Sequence, residues 1–217
     1  MDGRGIVYRE IAETLLKNRK SEFVERELAR RLTLSPDTVS RAVAPLKNSG
    51  SVAMHRRHFE VTNFEKLIAY WAVGRKFERD IVHSTYCEVK TLGEIEGRMP
   101  AEIAYTCFTA YLYIFNSSPA DYGGVYVYAT EGALKEIMLR FPERDVSKRV
   151  QGHNLFVLKP DHVLEERIMK GELIHTSVSV PQLYVDLWNN SSWYSYEFLK
   201  KTKEKMDDMY EKAILER

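Results

Sequence analysis

Between residues 21 and 61 the spacing of apolar positions changes three times, and each change marks a new element. Val24, Leu28, Ala29 and Leu32 recur at helical spacing, with Glu25, Arg26, Arg30 and Arg31 on the opposite side. This predicts an amphipathic helix of about three turns, capped by Asn18 or Ser21. Thr33-Leu34-Ser35 is too short for anything but a turn. Ser35-Pro36-Asp37 then supplies a cap hydroxyl, a proline at the first helical position and an acid near the positive helix end. A second helix therefore starts near Pro36. Val39, Ala42, Val43 and Leu46 form its buried stripe, which leaves Asp37, Thr38, Ser40, Arg41, Ala44 and Lys47 facing outward. Pro45 removes a backbone donor and crowds residue 41, so a kink or early end is expected there, with Asn48-Ser49-Gly50 as terminator. Strand-like Ser51-Val52-Ala53-Met54 and Phe59-Glu60-Val61 follow, around an exposed tip of His55-Arg56-Arg57-His58.

Helix, tight turn, helix and basic hairpin, in that order, form the pattern of a winged helix-turn-helix. A helix with short polar side chains and one arginine outward suits a major groove, and a cationic tip suits an adjacent groove or phosphate. The same helix spacing also occurs in ordinary all-helical domains, and the hairpin is what favours DNA. Thr38, Ser40 and Arg41 are the expected base-edge contacts, Ser35 and Lys47 the expected phosphate contacts, and Arg56 and Arg57 the groove contacts. His55 and His58 have no companion ligand nearby except Glu60, which makes a weak case for metal.

Upstream, Ile6-Val7, Ile11-Ala12 and Leu15-Leu16 make the stripe of a supporting first helix. Thr62 is positioned to cap a connecting helix over residues 63–73, closed by Gly74, with Phe64, Leu67, Ile68 and Trp71 on one face. Beyond residue 75 strands and helices alternate. Ile81 to Tyr86 reads as a strand, and Thr91-Leu92-Gly93-Glu94 as a capping-box start for a short helix ending before Pro100. Tyr105 to Phe115 reads as a strand end followed by a buried helix. Val125 to Ala129 is an alternating strand, Thr130-Glu131 starts a helix with Leu134, Ile137, Met138 and Phe141 inward, and Leu155 to Leu158 is a short apolar strand. His175 to Val180 alternates as a further strand, ended by Pro181 in the first turn of a helix over residues 182–189, and Ser191 or Ser192 caps a last helix. The expected fold class is α+β. A winged helix-turn-helix over residues 1–62 and a connecting helix at 63–74 precede a small α/β domain over 75–217, with a mixed sheet of about four strands.

The chain has 217 residues and a net charge of +1, which conceals an asymmetry. Residues 1–62 hold twelve Lys and Arg against eight Asp and Glu, a balance of +4, and the remainder carries −3. The basic part is the part with the helix-turn-helix pattern. No long apolar run argues for a membrane span, and Cys87 and Cys107 read as reduced thiols, so a cytoplasmic protein is expected.

Catalytic constellations are scarce. The sequence has no Gly-rich phosphate loop, no His-Glu-x-x-His and no Gly-x-Ser-x-Gly elbow. A nucleotidyltransferase needs a Gly-Ser turn followed by two acids one residue apart on a strand, whereas Glu165-Glu166 and Asp207-Asp208 fall on predicted helices. Eight aromatics between Tyr105 and Tyr128 suit a core better than a stacking platform. Asp186 lies among Leu183, Tyr184, Val185, Leu187 and Trp188, where a buried acid needs a backbone or tyrosine partner. No catalytic residue, metal ligand or cofactor site is assigned.

Phe108-Thr109-Ala110-Tyr111, Tyr122-Gly123-Gly124-Val125-Tyr126-Val127-Tyr128 and Val178-Ser179-Val180-Pro181-Gln182-Leu183-Tyr184-Val185-Asp186-Leu187-Trp188, behind that N-terminus, resemble the AbiEi-type antitoxin regulators of type IV toxin–antitoxin systems. The last run is the most specific piece. The resemblance implies a non-enzymatic transcriptional repressor whose C-terminal domain is a degenerate nucleotidyltransferase-like fold. It further implies repression of its own operon through inverted repeats, and neutralisation of a toxin without a stable protein complex. The implied partner is double-stranded promoter DNA. A homodimer would match a two-fold operator, although one such module can bind alone. The competing reading is a ligand-sensing or nucleotidyltransferase-like enzyme domain with an accessory winged helix.

Overall fold

The computed structural model describes residues 3–142 and 152–215. These fall into two compact units. One contains the described residues up to 75 together with 180–185 and those from 202 on, and the other contains 76–179 and 186–201.

The first unit runs α1 (Gly3–Asn18), β1 (Glu22–Phe23), α2 (Glu25–Arg31), α3 (Pro36–Asn48), β2 (Val52–Met54), β3 (Phe59–Val61) and α4 (Phe64–Gly74). The three strands form an antiparallel sheet in the order β1-β3-β2. Its core is the set the spacing picks out: Val7, Ile11 and Leu15 of α1, Leu28 of α2, Val39, Ala42, Val43 and Leu46 of α3, and Leu67 and Trp71 of α4. Burying each large aliphatic side chain contributes about 1.5–3 kcal/mol, which is what holds such short helices in place. One polar tie fixes the register of α1 on α3, since the buried Tyr8 hydroxyl donates to the Ala42 carbonyl at 2.9 Å.

Several boundaries differ from the expected ones. The helix expected to start at Asn18 or Ser21 begins only at Glu25, without a side-chain cap, and has seven residues. The residues before it are taken by the sheet: Phe23 pairs with Phe59, their rings stacked at 5.6 Å, and the Ser21 carbonyl accepts from Val61 N. Burial of Phe23 outweighs one more helical turn. Pro45 does not end α3, which continues to Asn48. Pro45 is half-buried and follows exposed Arg41 by one turn, so water can serve the carbonyl that loses its donor. The cap of α4 is Asn63, whose Oδ1 accepts from Lys66 N at 2.8 Å, and Thr62 instead donates to the Gly50 carbonyl.

Two later segments also belong to this unit. Arg9, 1 % exposed, donates through Nη1 to Gln182 Oε1 at 3.0 Å. Phe64 stacks on Tyr210 at 4.7 Å, and Lys203 Nζ lies 3.2 Å from Glu65 Oε1.

The second unit is built on β4 (Ile81–Thr85), β5 (Ile103–Thr106), β6 (Val125–Ala129) and β7 (Leu155–Leu158), in the order β4-β7-β6-β5. The β6–β7 pair is parallel and the two outer pairs are antiparallel, so the sheet is mixed and the protein is α+β. The two central strands are the most apolar, as strands covered on both faces must be. Helices α5 (Leu92–Glu96), α6 (Cys107–Phe115), α7 (Glu131–Arg140) and α8 (His162–Met169) accompany them. Helices α9 (Val180–Trp188) and α10 (Ser195–Leu215) follow. Thr130 caps α7 by accepting from Ala133 N, as its position before Glu131 predicts. Thr91 makes no such bond, and Glu94 accepts instead from Lys90 N. Neither Ser191 nor Ser192 starts α10, because Asn190 Oδ1 gathers Ser192 N and Ser195 Oγ and moves the start to Ser195.

The strand expected over His175 to Val180 is not formed. His175 and Thr176 sit at φ of 53° and 52°, in the left-handed region, inside a short 3-10 turn. Only Ser177 bridges to Tyr105, and Val178 N donates to the Tyr105 carbonyl. Two successive left-handed residues cannot extend a pleated ladder.

Candidate nucleic-acid interface

Ser35 caps α3 by accepting from Thr38 N at 3.1 Å, and its hydroxyl shares a second contact of 2.8 Å with Thr38 Oγ1. The first turn of α3 is thereby fixed from within. Thr38 is half-buried, and a Cβ on Gly3 would come within 2.7 Å of its methyl carbon, so the start of α1 packs directly against it. Of the expected contacts, Ser35 and Thr38 are therefore occupied in shaping the helix. Ser40, Arg41 and Lys47 are exposed with Ala44, and form the open side of α3.

Arg41 does not stand alone there. Its Nε lies 3.0 Å from Asp37 Oδ2, with the side chains 72 % and 67 % exposed. Asp37 stands one turn before Arg41, the i, i+4 spacing that brings helical side chains together. The spacing was legible in the sequence, and the pairing is a consequence that the residue-by-residue reading of that side missed.

The hairpin tip closes with His55 N donating to the His58 carbonyl at 2.8 Å. The two imidazoles stack at 4.6 Å, His55 Nε2 lies 3.8 Å from Glu60 Oε2, and His58 Nε2 lies 3.9 Å from Glu22 Oε2. Arg56 and Arg57 are exposed, and among the described residues neither forms an ion pair. Carboxylates thus reach the histidines and leave the two arginines open. A shallow groove beside α2 adds Lys20, Arg30 and Arg31 around Phe23, with Glu27 as the acid among them. Among the described residues no group of three His, Cys, Asp or Glu side chains is arranged for a metal ion.

In the second unit two acids that touch the aromatic residues are held by hydroxyls. Asp186 has no exposed surface, and its Oδ2 accepts from Thr106 Oγ1 and Tyr128 OH, each at 2.9 Å. Glu96 is half-buried and accepts from Thr109 Oγ1 at 2.8 Å and from Tyr113 OH at 3.2 Å. Burial, reinforced by the Glu96 charge, pushes the Tyr113 hydroxyl up to about 12, and burial foremost raises Tyr105 and Tyr122 as well. Tyr126 is pushed to about 12, mainly by burial. These tyrosines therefore stay protonated, and Tyr113 stays a donor, through the physiological range. The aromatic cluster itself is packed: Phe108 meets Tyr122, Tyr126, Tyr194 and Phe198 within 6 Å. Edge-on and offset contacts of this kind are how aromatic rings fill a core.

Among the described residues no helix is long and apolar enough to cross a membrane. Compared with models of protein families, with curated proteins and with solved structures, the chain matches none.

Proposed function

We propose that the protein is a sequence-specific regulator that binds double-stranded DNA through a winged helix-turn-helix, with α3 as recognition helix and the β2–β3 hairpin as wing. The observation that carries this reading is the exposure, in one compact unit, of Ser40, Arg41 and Lys47 on α3 and of Arg56 and Arg57 at the hairpin tip. Side chains of this chemistry donate to base edges and phosphates, and a basic unit gains affinity by displacing counterions. The +4 balance of residues 1–62 agrees with it.

On the motif resemblance, the protein is further read as an autorepressor of the type IV antitoxin kind, acting on its own promoter and opposing a toxin without a lasting protein contact. The second unit is then a degenerate nucleotidyltransferase-like scaffold. Asp186 there is enclosed and accepts two hydroxyl bonds, so it is closed to a substrate.

Titration of the full chain against a duplex from site selection tests the reading. Replacing Arg41, Arg56 and Arg57 together by Ala is expected to weaken binding by at least tenfold at matched salt, while the melting temperature holds. Binding unchanged in that variant removes the assignment.

A further inference from the structure

The Arg41–Asp37 pair lies on the open side of α3, where an exposed i, i+4 pair adds only slightly to helix stability. Two side chains this exposed gain little from pairing, because water screens the attraction and both lose rotamer freedom. Asp37 does suit the positive end of α3, but that role requires no particular partner. What the pair does is bias the guanidinium: Nε is the nitrogen nearest the carboxylate, and Nη1 and Nη2 have no partner among the described residues.

Resting on the DNA-binding reading above, we propose that Arg41 recognises a guanine in the major groove and that Asp37 is the residue that positions it. Two parallel N–H donors at the end of the fork match the paired acceptors O6 and N7, which only guanine presents on its major-groove edge. Adenine offers a donor in place of one acceptor, and thymine a single acceptor beside a methyl group. A guanidinium free to rotate meets phosphates as readily as bases, whereas one held end-on favours the bidentate partner. Ala44, one turn on from Ser40 on the same open side, is too short to obstruct the approach. Asp37 thus acts on specificity through Arg41, at some cost in attraction to the backbone.

The experiment uses the full chain and its selected duplex, with each G·C pair of the site replaced in turn by A·T, followed by anisotropy at fixed salt. For the wild-type chain one G·C position is expected to cost tenfold or more when replaced. Arg41→Ala and Arg41→Lys should each erase the penalty at that position alone, because lysine keeps the charge and loses the fork. Asp37→Ala and Asp37→Asn should shrink the same penalty several-fold without lowering affinity for random duplex, with only the small fall in melting temperature that loss of an acid at the helix start brings. A merely structural Asp37 would leave base preference unchanged in both variants, and that result overturns the proposal. If the wild type discriminates among duplexes and the Arg41 variants keep every preference, this proposal fails while the DNA-binding reading stands. If the wild type binds no duplex, both fail.

Discussion

At the scale of single residues, the second unit is held by polar pairs that leave little freedom for substitution. Asp186 is enclosed and serves two hydroxyls through one oxygen. Its removal takes away the acceptor of two buried hydroxyl bonds, from Thr106 and from Tyr128, and losing an acceptor inside the protein costs about 1–3 kcal/mol. Asp186→Ala is therefore expected to lower unfolding free energy by roughly 3 kcal/mol, and Tyr128→Phe by about 1 kcal/mol, as read from urea midpoints. An Asp186→Ala chain as stable as the wild type would mean that the acid is not a structural tie. The tyrosines set a second expectation. Tyr113 and Tyr126 are raised from 10.0 to about 12, and Tyr105 and Tyr122 shift in the same direction. A raised folded value means that the folded state holds its proton longer than the unfolded chain. The contribution is whole below pH 10 and is lost as pH rises toward about 12. Urea midpoints should thus fall between those limits, and fall less steeply in Tyr113→Phe and Tyr126→Phe chains.

At the scale of elements, α3 carries opposing local signals whose balance can be measured. Ser35 fixes the first turn, so Ser35→Ala should cost about 1 kcal/mol. Pro45 lies in the interior of the same helix, and Pro45→Ala should stabilise the chain by about 1 kcal/mol by restoring a donor toward residue 41. Thermal melts of the two variants should move in opposite directions. The legible elements are those with their own punctuation: Ser35-Pro36 before α3, Thr130-Glu131 before α7, and the stripe from Val39 to Leu46. The missed ones depend on distant partners or on backbone torsions. The two-residue β1 exists because Phe23 meets Phe59, 36 positions later, and nothing local to Glu22-Phe23 announces it. His175 to Val180 alternates like a strand, yet His175 and Thr176 take left-handed torsions, which are uncommon for His and an outlier for β-branched Thr, so the sequence carries no signature of them. Within the candidate interface, the exposure of Ser40, Arg41 and Lys47 followed from helical spacing, and so could the Asp37 pairing. The half-burial of Thr38 did not, because the neighbour that packs against its methyl group, Gly3, lies 35 positions earlier in the chain.

At the scale of the whole molecule, the chain order conceals how the units are composed. Residues 180–185 and those from 202 on join the unit that holds α1 to α4, and the contacts responsible are Gln182 with Arg9, Lys203 with Glu65, and Tyr210 with Phe64. Charge is distributed accordingly, with the excess of cations confined to residues 1–62 in a chain that is nearly neutral as a whole. Net charge therefore says little about affinity for a polyanion here, and the number of phosphates actually neutralised says more. That number can be counted, because each neutralised phosphate releases condensed counterions and steepens the fall of log affinity with log salt by about 0.9. If Arg56 and Arg57 meet the backbone while Arg41 meets a base, the variants should separate on this measure. The double change Arg56→Ala with Arg57→Ala should flatten the salt dependence by about two and weaken all duplexes alike. Arg41→Ala should leave the slope nearly unchanged and remove discrimination at its one G·C position instead. A slope untouched by loss of both tip arginines would place the tip away from phosphate and remove it from the proposed backbone contacts.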